Sequence, residues 1–186
     1  HSLEAKGMLA ARPGGGTIVR RPTAEAVAQS LHLFLRSGEA HLDYGKVHEI
    51  RRLLEIEIAG LAALRHTDED LANLSANLRA AETLLADRTA ANFARIDLAF
   101  HALLAHATHN ELFELLLDSL TDIMLAVRAS AFAVPDTPAR ALAMHQAILA
   151  QVQAGDLHGA RQAMAAHLAE AEETQRQVFA IKSHTA

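Results

Sequence analysis

From Asp43 onward, apolar residues return every three or four positions to near the end of the chain, the period of helices with one buried face. Lys46 to His66 predicts a helix with Val47, Ile50, Leu54, Ile58, Leu61 and Leu64 turned inward. Thr67 followed by Asp70 reads as a capping box that opens a second helix, reaching about Ala86. A third helix is expected from about Thr89 to Thr108, and Asn110 is a natural N-cap for a fourth ending near Ala131. Val134-Pro135 breaks that helix. Thr137-Pro138 then places a cap and an N1 proline at the next start. Gly155-Asp156 ends the fifth helix and caps the sixth, which runs to about Ile181. Helices joined by such short connections fold back on one another, so the expected fold is all-α, an antiparallel helical bundle.

The first part of the chain has a different texture. "HSLEAKGML" reads as the last turns of a helix, with Gly7 as its C-terminal cap. Leu9–Arg12 and Thr17–Arg20 follow as two short strands around Gly14, Gly15 and Gly16. After Pro22, a helix is expected over Thr23–Arg36, closed by Ser37-Gly38. Taken alone, the glycine hairpin is equally well an ordinary surface turn.

Composition narrows the classes. Of 186 residues, 51% are hydrophobic, enough for a real core and too many for a disordered chain. Cysteine is absent, which excludes thiolate metal sites and disulfides and suits a cytoplasmic setting. No apolar run is long enough to span a bilayer, so no membrane association is expected. Net charge is −5, yet the first 21 residues set Lys6, Arg12, Arg20 and Arg21 against Glu4 alone. A basic lead on an acidic body suggests two modules with different partners.

Twelve histidines are present. His41, His66, His158 and His184 fall at helix ends or loops, where solvated rings are expected. His106 and His109 form an H-x-x-H pair, but His109 lies where its helix should end, and solvation is the better reading there too. Four other residues are placed differently. Asp97 and His101 lie four apart, on one helix face beside Phe93, Ile96, Phe100, Leu103 and Leu104. His145 sits between Leu142 and Ile148/Leu149, and His167 beside Met164, Leu168 and Ala171. Three helices thus turn metal-competent groups into one core. A core histidine is ordinarily satisfied by a carbonyl or a water, and that reading stands for each one singly. Together, one carboxylate and three imidazoles would cost on the order of 2 kcal/mol or more each if buried without partners. A divalent cation offsets all four penalties. An N₃O donor set suits zinc first, and also nickel, manganese or iron.

The Asp-x₃-His pair is followed by a histidine after 44 residues and another after 22. With "EIRRLLE" (49–55), "LAALR" (61–65), "IDLAFHALLAHATHNELF" (96–113) and "GDLHGARQAMAAHL" (155–168), this resembles the metal-binding, all-helical FCD effector domain of FadR-subfamily GntR transcription regulators. The resemblance covers about residues 3–175. It implies that residues 1–21 are the end of a winged helix-turn-helix, 22–42 a connector helix and linker, and 43–182 the effector domain. It also implies that the chain lacks the helix-turn-helix itself. In that frame Asp97, His101, His145 and His167 match the metal ligands. Arg51 matches an arginine expected to face the cavity and pair with an effector carboxylate; an intrahelical pair with Glu55 or Glu49 is the alternative. Arg128 is a second candidate for carboxylate contact, and Arg52 is expected to be solvated. Arg12, Gly14, Gly15, Gly16, Thr17 and Arg20 would form the wing, close to DNA phosphates.

The expected function is a homodimeric, cytoplasmic, DNA-binding regulator that senses a small carboxylate or hydroxy acid at a divalent metal, and not an enzyme. The alternative is a metal-dependent enzyme using the three-His, one-Asp set. It would require a general base at the open face, and no surplus carboxylate is evident there.

Overall fold

A computed structural model of the chain describes residues 9–11, 14–19, 44–87 and 90–184. The expected helix tail with Gly7, the wing residues Arg12 and Arg20, Arg21, His41 and the helix over Thr23–Arg36 lie outside these described residues. Strands β1 (Leu9–Ala11) and β2 (Thr17–Val19) form an antiparallel pair, Leu9 opposite Val19 and Ala11 opposite Thr17. Gly14, Gly15 and Gly16 each have φ near +100°, a backbone conformation that favours glycine and explains the run between the strands.

Six helices follow among the described residues: α1 (Tyr44–Arg65), α2 (Asp68–Asp87), α3 (Ala90–His106), α4 (Glu111–Phe132), α5 (Thr137–Gln153) and α6 (Leu157–His184). Their starts are chemically specified. The Asp70 N–H donates to Thr67 Oγ1 at 3.2 Å, and Asp70 Oδ2 accepts from the Thr67 N–H at 2.8 Å, the reciprocal capping box expected from sequence. Asn110 Oδ1 accepts from the Leu112 N–H at 3.2 Å, and Glu111 and Glu114 complement the positive end of α4. At α6, Asp156 Oδ1 accepts from the Gly159 N–H after Gly155 has turned the chain at φ +68°. The start of α5 corrects the sequence reading. Thr137 is its first residue, and the cap is Asp136, left-handed at φ 65° with no side-chain capping bond. The Val134-Pro135 break forces the chain to turn before a conventional cap geometry can form.

Consecutive helices α2–α3, α3–α4 and α5–α6 pack against each other, while α6 returns to lie along α1 and α2 packs against α5. The shared core includes Ile58, Leu74, Phe93, Leu104, Ile148 and Leu168, with Phe93 and Phe132 edge to face at 4.9 Å. No helix among the described residues is long and apolar enough to cross a membrane.

On α1 the apolar stripe misled. Ile50 is 48% and Leu64 60% exposed, against the expectation that both turn inward, and Leu53 is exposed as well. Val47 and Ile58 are buried as expected, and the buried face also carries His48, Arg51, Glu55 and Ala62. A helix that lines a polar site buries charge, so its apolar period loses contrast.

Candidate metal centre

The structure brings Asp97, His101, His145 and His167 together. One ligand-type atom from each lies within 4.8 Å of all the others, and all four residues are buried. They come from α3, α5 and α6, as the sequence expected. Phe100 stacks on the His145 ring at 4.1 Å between centroids, fixing its plane against the apolar core. His145 Nε2 stands 3.3 Å from His167 Nε2 and 3.5 Å from Asp97 Oδ1. Donors bound about 2.1 Å from a common ion at angles near 90–110° lie about 3.0–3.4 Å apart, close to the two separations at His145 Nε2. The donor chemistry fits too. His167 Nδ1 and His101 Nε2 lack a hydrogen-bond partner among the described residues, while His101 Nδ1 and the Asp97 carboxylate are reached by charged or ring neighbours. Burying this many polar atoms is costly unless something else satisfies them.

Ionisation states agree with that role. Burial pushes the His145 imidazole down to about 3, with Asp97 pulling the other way. Burial also holds His167 well below its ordinary value, helped by the neighbouring His145 and His101 rings. Both are therefore neutral at physiological pH, as a metal ligand must be. Burial alone would raise the Asp97 carboxyl, but Arg128, His145 and His101 outweigh it, and the group stays ionised. Arg128 is thus placed directly on Asp97, Nε to Oδ2 at 3.2 Å, with both side chains buried.

Glu55 is the residue that sequence reasoning missed. Its Oε2 lies 2.5 Å from His101 Nδ1, and its Oε1 accepts from Arg51 Nε at 2.5 Å. Holding Nδ1 in this way leaves Nε2 of the same ring for a ligand role, the outer carboxylate–histidine arrangement common around metals. Burial would raise the Glu55 carboxyl, but Arg51 and His101 together hold it far below the ordinary range. This corrects the expectation that no carboxylate stands near the site. A carboxylate held so firmly ionised is nevertheless a poor general base. Its signal in the sequence was the Arg51/Glu55 spacing, which reads equally well as a surface pair.

A cavity of about 370 Å³ adjoins the cluster. Arg51, Glu55 and His101 line it together with Leu98 and Ala102 of α3 and residues of α4; Asp97, His145 and His167 are not among its lining residues. Arg51 pairs with Glu55 and also lines the cavity, buried rather than on the surface. Arg52 is exposed, as expected. His106 and His109 lie apart from the cluster, beside Glu114 and Asp70 respectively. His109 closes α3 at φ 52°. His158 is exposed, whereas His66 is half-buried, its Nδ1 3.0 Å from the Ala62 carbonyl, which departs from the solvated ring expected there. His48 and Gln175 form a second buried polar contact, between α1 and α6, that the sequence reading did not single out.

Comparison with known proteins agrees with this architecture. The family model described as "FCD domain" matches residues 46–170. The chain is 30% identical over 177 residues to the HTH-type transcriptional regulator LutR of Bacillus subtilis, covering 92% of this chain and 79% of that protein. It is 30% identical over 175 residues to the putative L-lactate dehydrogenase operon regulatory protein of Escherichia coli, covering 89% of this chain and 65% of that one. In fold it is similar to a solved GntR structure from Streptococcus agalactiae, with a TM-score of 0.74 at 23% identity, covering 95% of this chain and 78% of that one. A shared helical domain, spanned almost end to end by the family model, places this chain in the FCD-domain family of GntR-type transcription regulators.

Proposed function

We propose that this chain is a metabolite-responsive regulator whose helical domain, residues 43–182, holds one divalent metal through Asp97, His101, His145 and His167 and binds a small organic acid in the adjoining cavity. The observation that carries this reading is the buried convergence of four donors within 4.8 Å beside a cavity of about 370 Å³. Zinc fits the donor set, and nickel, manganese and iron fit it as well. A bound ion supplies positive charge and open coordination positions. Arg51 is balanced by Glu55, so its part is to orient a carboxylate rather than to attract it from a distance. Arg128 holds Asp97 ionised and in place. One relative's name refers to an L-lactate dehydrogenase operon, which puts 2-hydroxy acids first among acids to test.

The remaining parts follow the family. Residues 1–21 are read as the end of a winged helix-turn-helix, with Gly14, Gly15 and Gly16 as the wing tip and Arg12, Thr17 and Arg20 near phosphates. Residues 22–42 would connect it to the effector domain. A cytoplasmic homodimer is the expected form, since two-fold readers match palindromic operators. The acid acts by binding one arrangement of the bundle better than another. A metal-dependent enzyme fits less well, because Glu55 is committed to Arg51 and His101.

Elemental analysis of protein purified without chelator tests the centre of this reading. Close to one divalent ion per chain is expected, and His145→Ala and His167→Ala should each remove most of it; metal-free protein would overturn the assignment. Light scattering after size exclusion checks the dimer.

A further inference from the structure

The cavity has two chemically different ends. Arg51, Glu55 and His101 are buried and form its inner wall, and His101, only 4% exposed, offers an Nε2 with no hydrogen-bond partner among the described residues. The same lining includes Glu111, Glu114, Asp118 and Thr121, which recur at three- and four-residue steps, the spacing of one face of α4, and Glu111 and Asp118 are exposed where Arg51, Glu55 and His101 are buried. The mouth is therefore acidic, while the only cationic side chain lining the cavity among the described residues, Arg51, is neutralised by Glu55. Glu111 and Glu114 lie in the first turn of α4, where the helix dipole favours them with or without a ligand. Asp118 lies two turns in, beyond that influence. His106 engages Glu114 from outside the cavity lining, at 3.3 Å.

We propose that the cavity selects a small monocarboxylate whose far end is a hydrogen-bond donor, a hydroxyl or an ammonium, and discriminates against di- and tricarboxylates. This rests on the reading of the site as a metal-dependent carboxylate sensor. The acid head is drawn to the His101 end. The tail then points toward Glu111, Glu114 and Asp118, which accept hydrogen bonds and repel a second carboxylate. At separations of about 7 Å in a high-dielectric mouth, each like-charge pair weakens binding by about threefold in low salt, and added salt reduces the effect.

Three probes share one head and differ only at the far carbon: 4-amino-2-hydroxybutanoate, 2,4-dihydroxybutanoate and malate. Isothermal titration of the zinc-loaded chain should rank them in that order, with malate roughly tenfold weaker than 2,4-dihydroxybutanoate in low salt. Glu114→Gln and Asp118→Asn should each narrow that gap by about two- to threefold. Glu173→Gln, which removes a charge on α6 outside the cavity lining, should leave it unchanged. Circular dichroism confirms that the variants fold. Malate binding as tightly as the hydroxymethyl probe, or a gap insensitive to both mouth variants, overturns the proposed selectivity while leaving the sensor reading intact. Failure of all three probes to bind zinc-loaded protein overturns the sensor reading, and the selectivity with it.

Discussion

The interior of this bundle has two contrasting halves. Around Leu74, Phe93, Leu104, Ile148 and Leu168 it is packed with apolar side chains from α2, α3, α5 and α6. Where α1, α3, α4, α5 and α6 converge it is filled by Arg51, Glu55, Asp97, His101, Arg128, His145 and His167, nearly as deeply buried. The first half stabilises the fold whatever is bound. The second is a polar network satisfied only in part from within: two carboxylates balance two guanidiniums, while imidazole nitrogens remain without partners. Apolar burial therefore supports a cluster that contributes little stability until a ligand completes it.

The sharpest way to break the polar half is Glu55→Ala, which leaves Arg51 buried beside an unanchored His101. A loss of about 3–5 kcal/mol in urea unfolding is expected, as when one partner of a buried ion pair is removed. Leu104→Ala, in the apolar half, should lose about 2–5 kcal/mol while the purified protein still carries its metal. His167→Ala should show the opposite pattern. It should lose the metal, but metal-free it should be destabilised less than Leu104→Ala, because the deleted ring has an unsatisfied buried nitrogen.

Chelation sharpens the contrast further. EDTA should lower the melting temperature of the unaltered chain, by the equivalent of about 2.7 kcal/mol where free metal had stood at a hundred times its dissociation constant. It should leave His167→Ala nearly unmoved, since that variant has no ion to lose.

Acid sensitivity of the metal-free chain follows from the depressed histidines. His145 is neutral when folded down to about 3, whereas its unfolded form takes up a proton near 6.5. Below 6.5 the unfolded state thus binds more protons, and stability falls as pH drops from about 6.5 toward 3. The slope is up to about 1.4 kcal/mol per pH unit for each such group, and His167 adds in the same direction. Lowered Asp97 and Asp70 extend the loss below their ordinary range near 4. Urea unfolding across pH checks this; stability independent of pH between 4 and 6.5 would contradict neutral burial of the two rings. The smallest effect is expected from Thr67→Ala, which removes one half of the α2 capping box at a cost of about 1 kcal/mol without touching either interior.

These two halves also differ in how far they could be read from the chain. The capping box at Thr67–Asp70, the cap at Asn110 and the turn at Gly155 are local chemistry, complete within four residues, so the helix borders were legible. Asp97, His101, His145 and His167 were legible for a related reason: each is a polar group within an apolar stretch, and the helical period alone turns it inward. Sequence by itself thus determined the helical class and the inward placement of these four side chains. Glu55, the His48–Gln175 contact and the acidic mouth were decided by tertiary structure. Glu55 lies four residues from an arginine, a spacing shared with countless solvated pairs, and His48 meets Gln175 across 127 residues of chain. On α1 Arg51 and Glu55 went in while Ile50, Leu53 and Leu64 stayed out, because that face lines the charged cluster, where each buried charge finds an ionic partner. Which groups face one another across a cavity depends on how separate helices are brought together, and local periodicity carries no record of that.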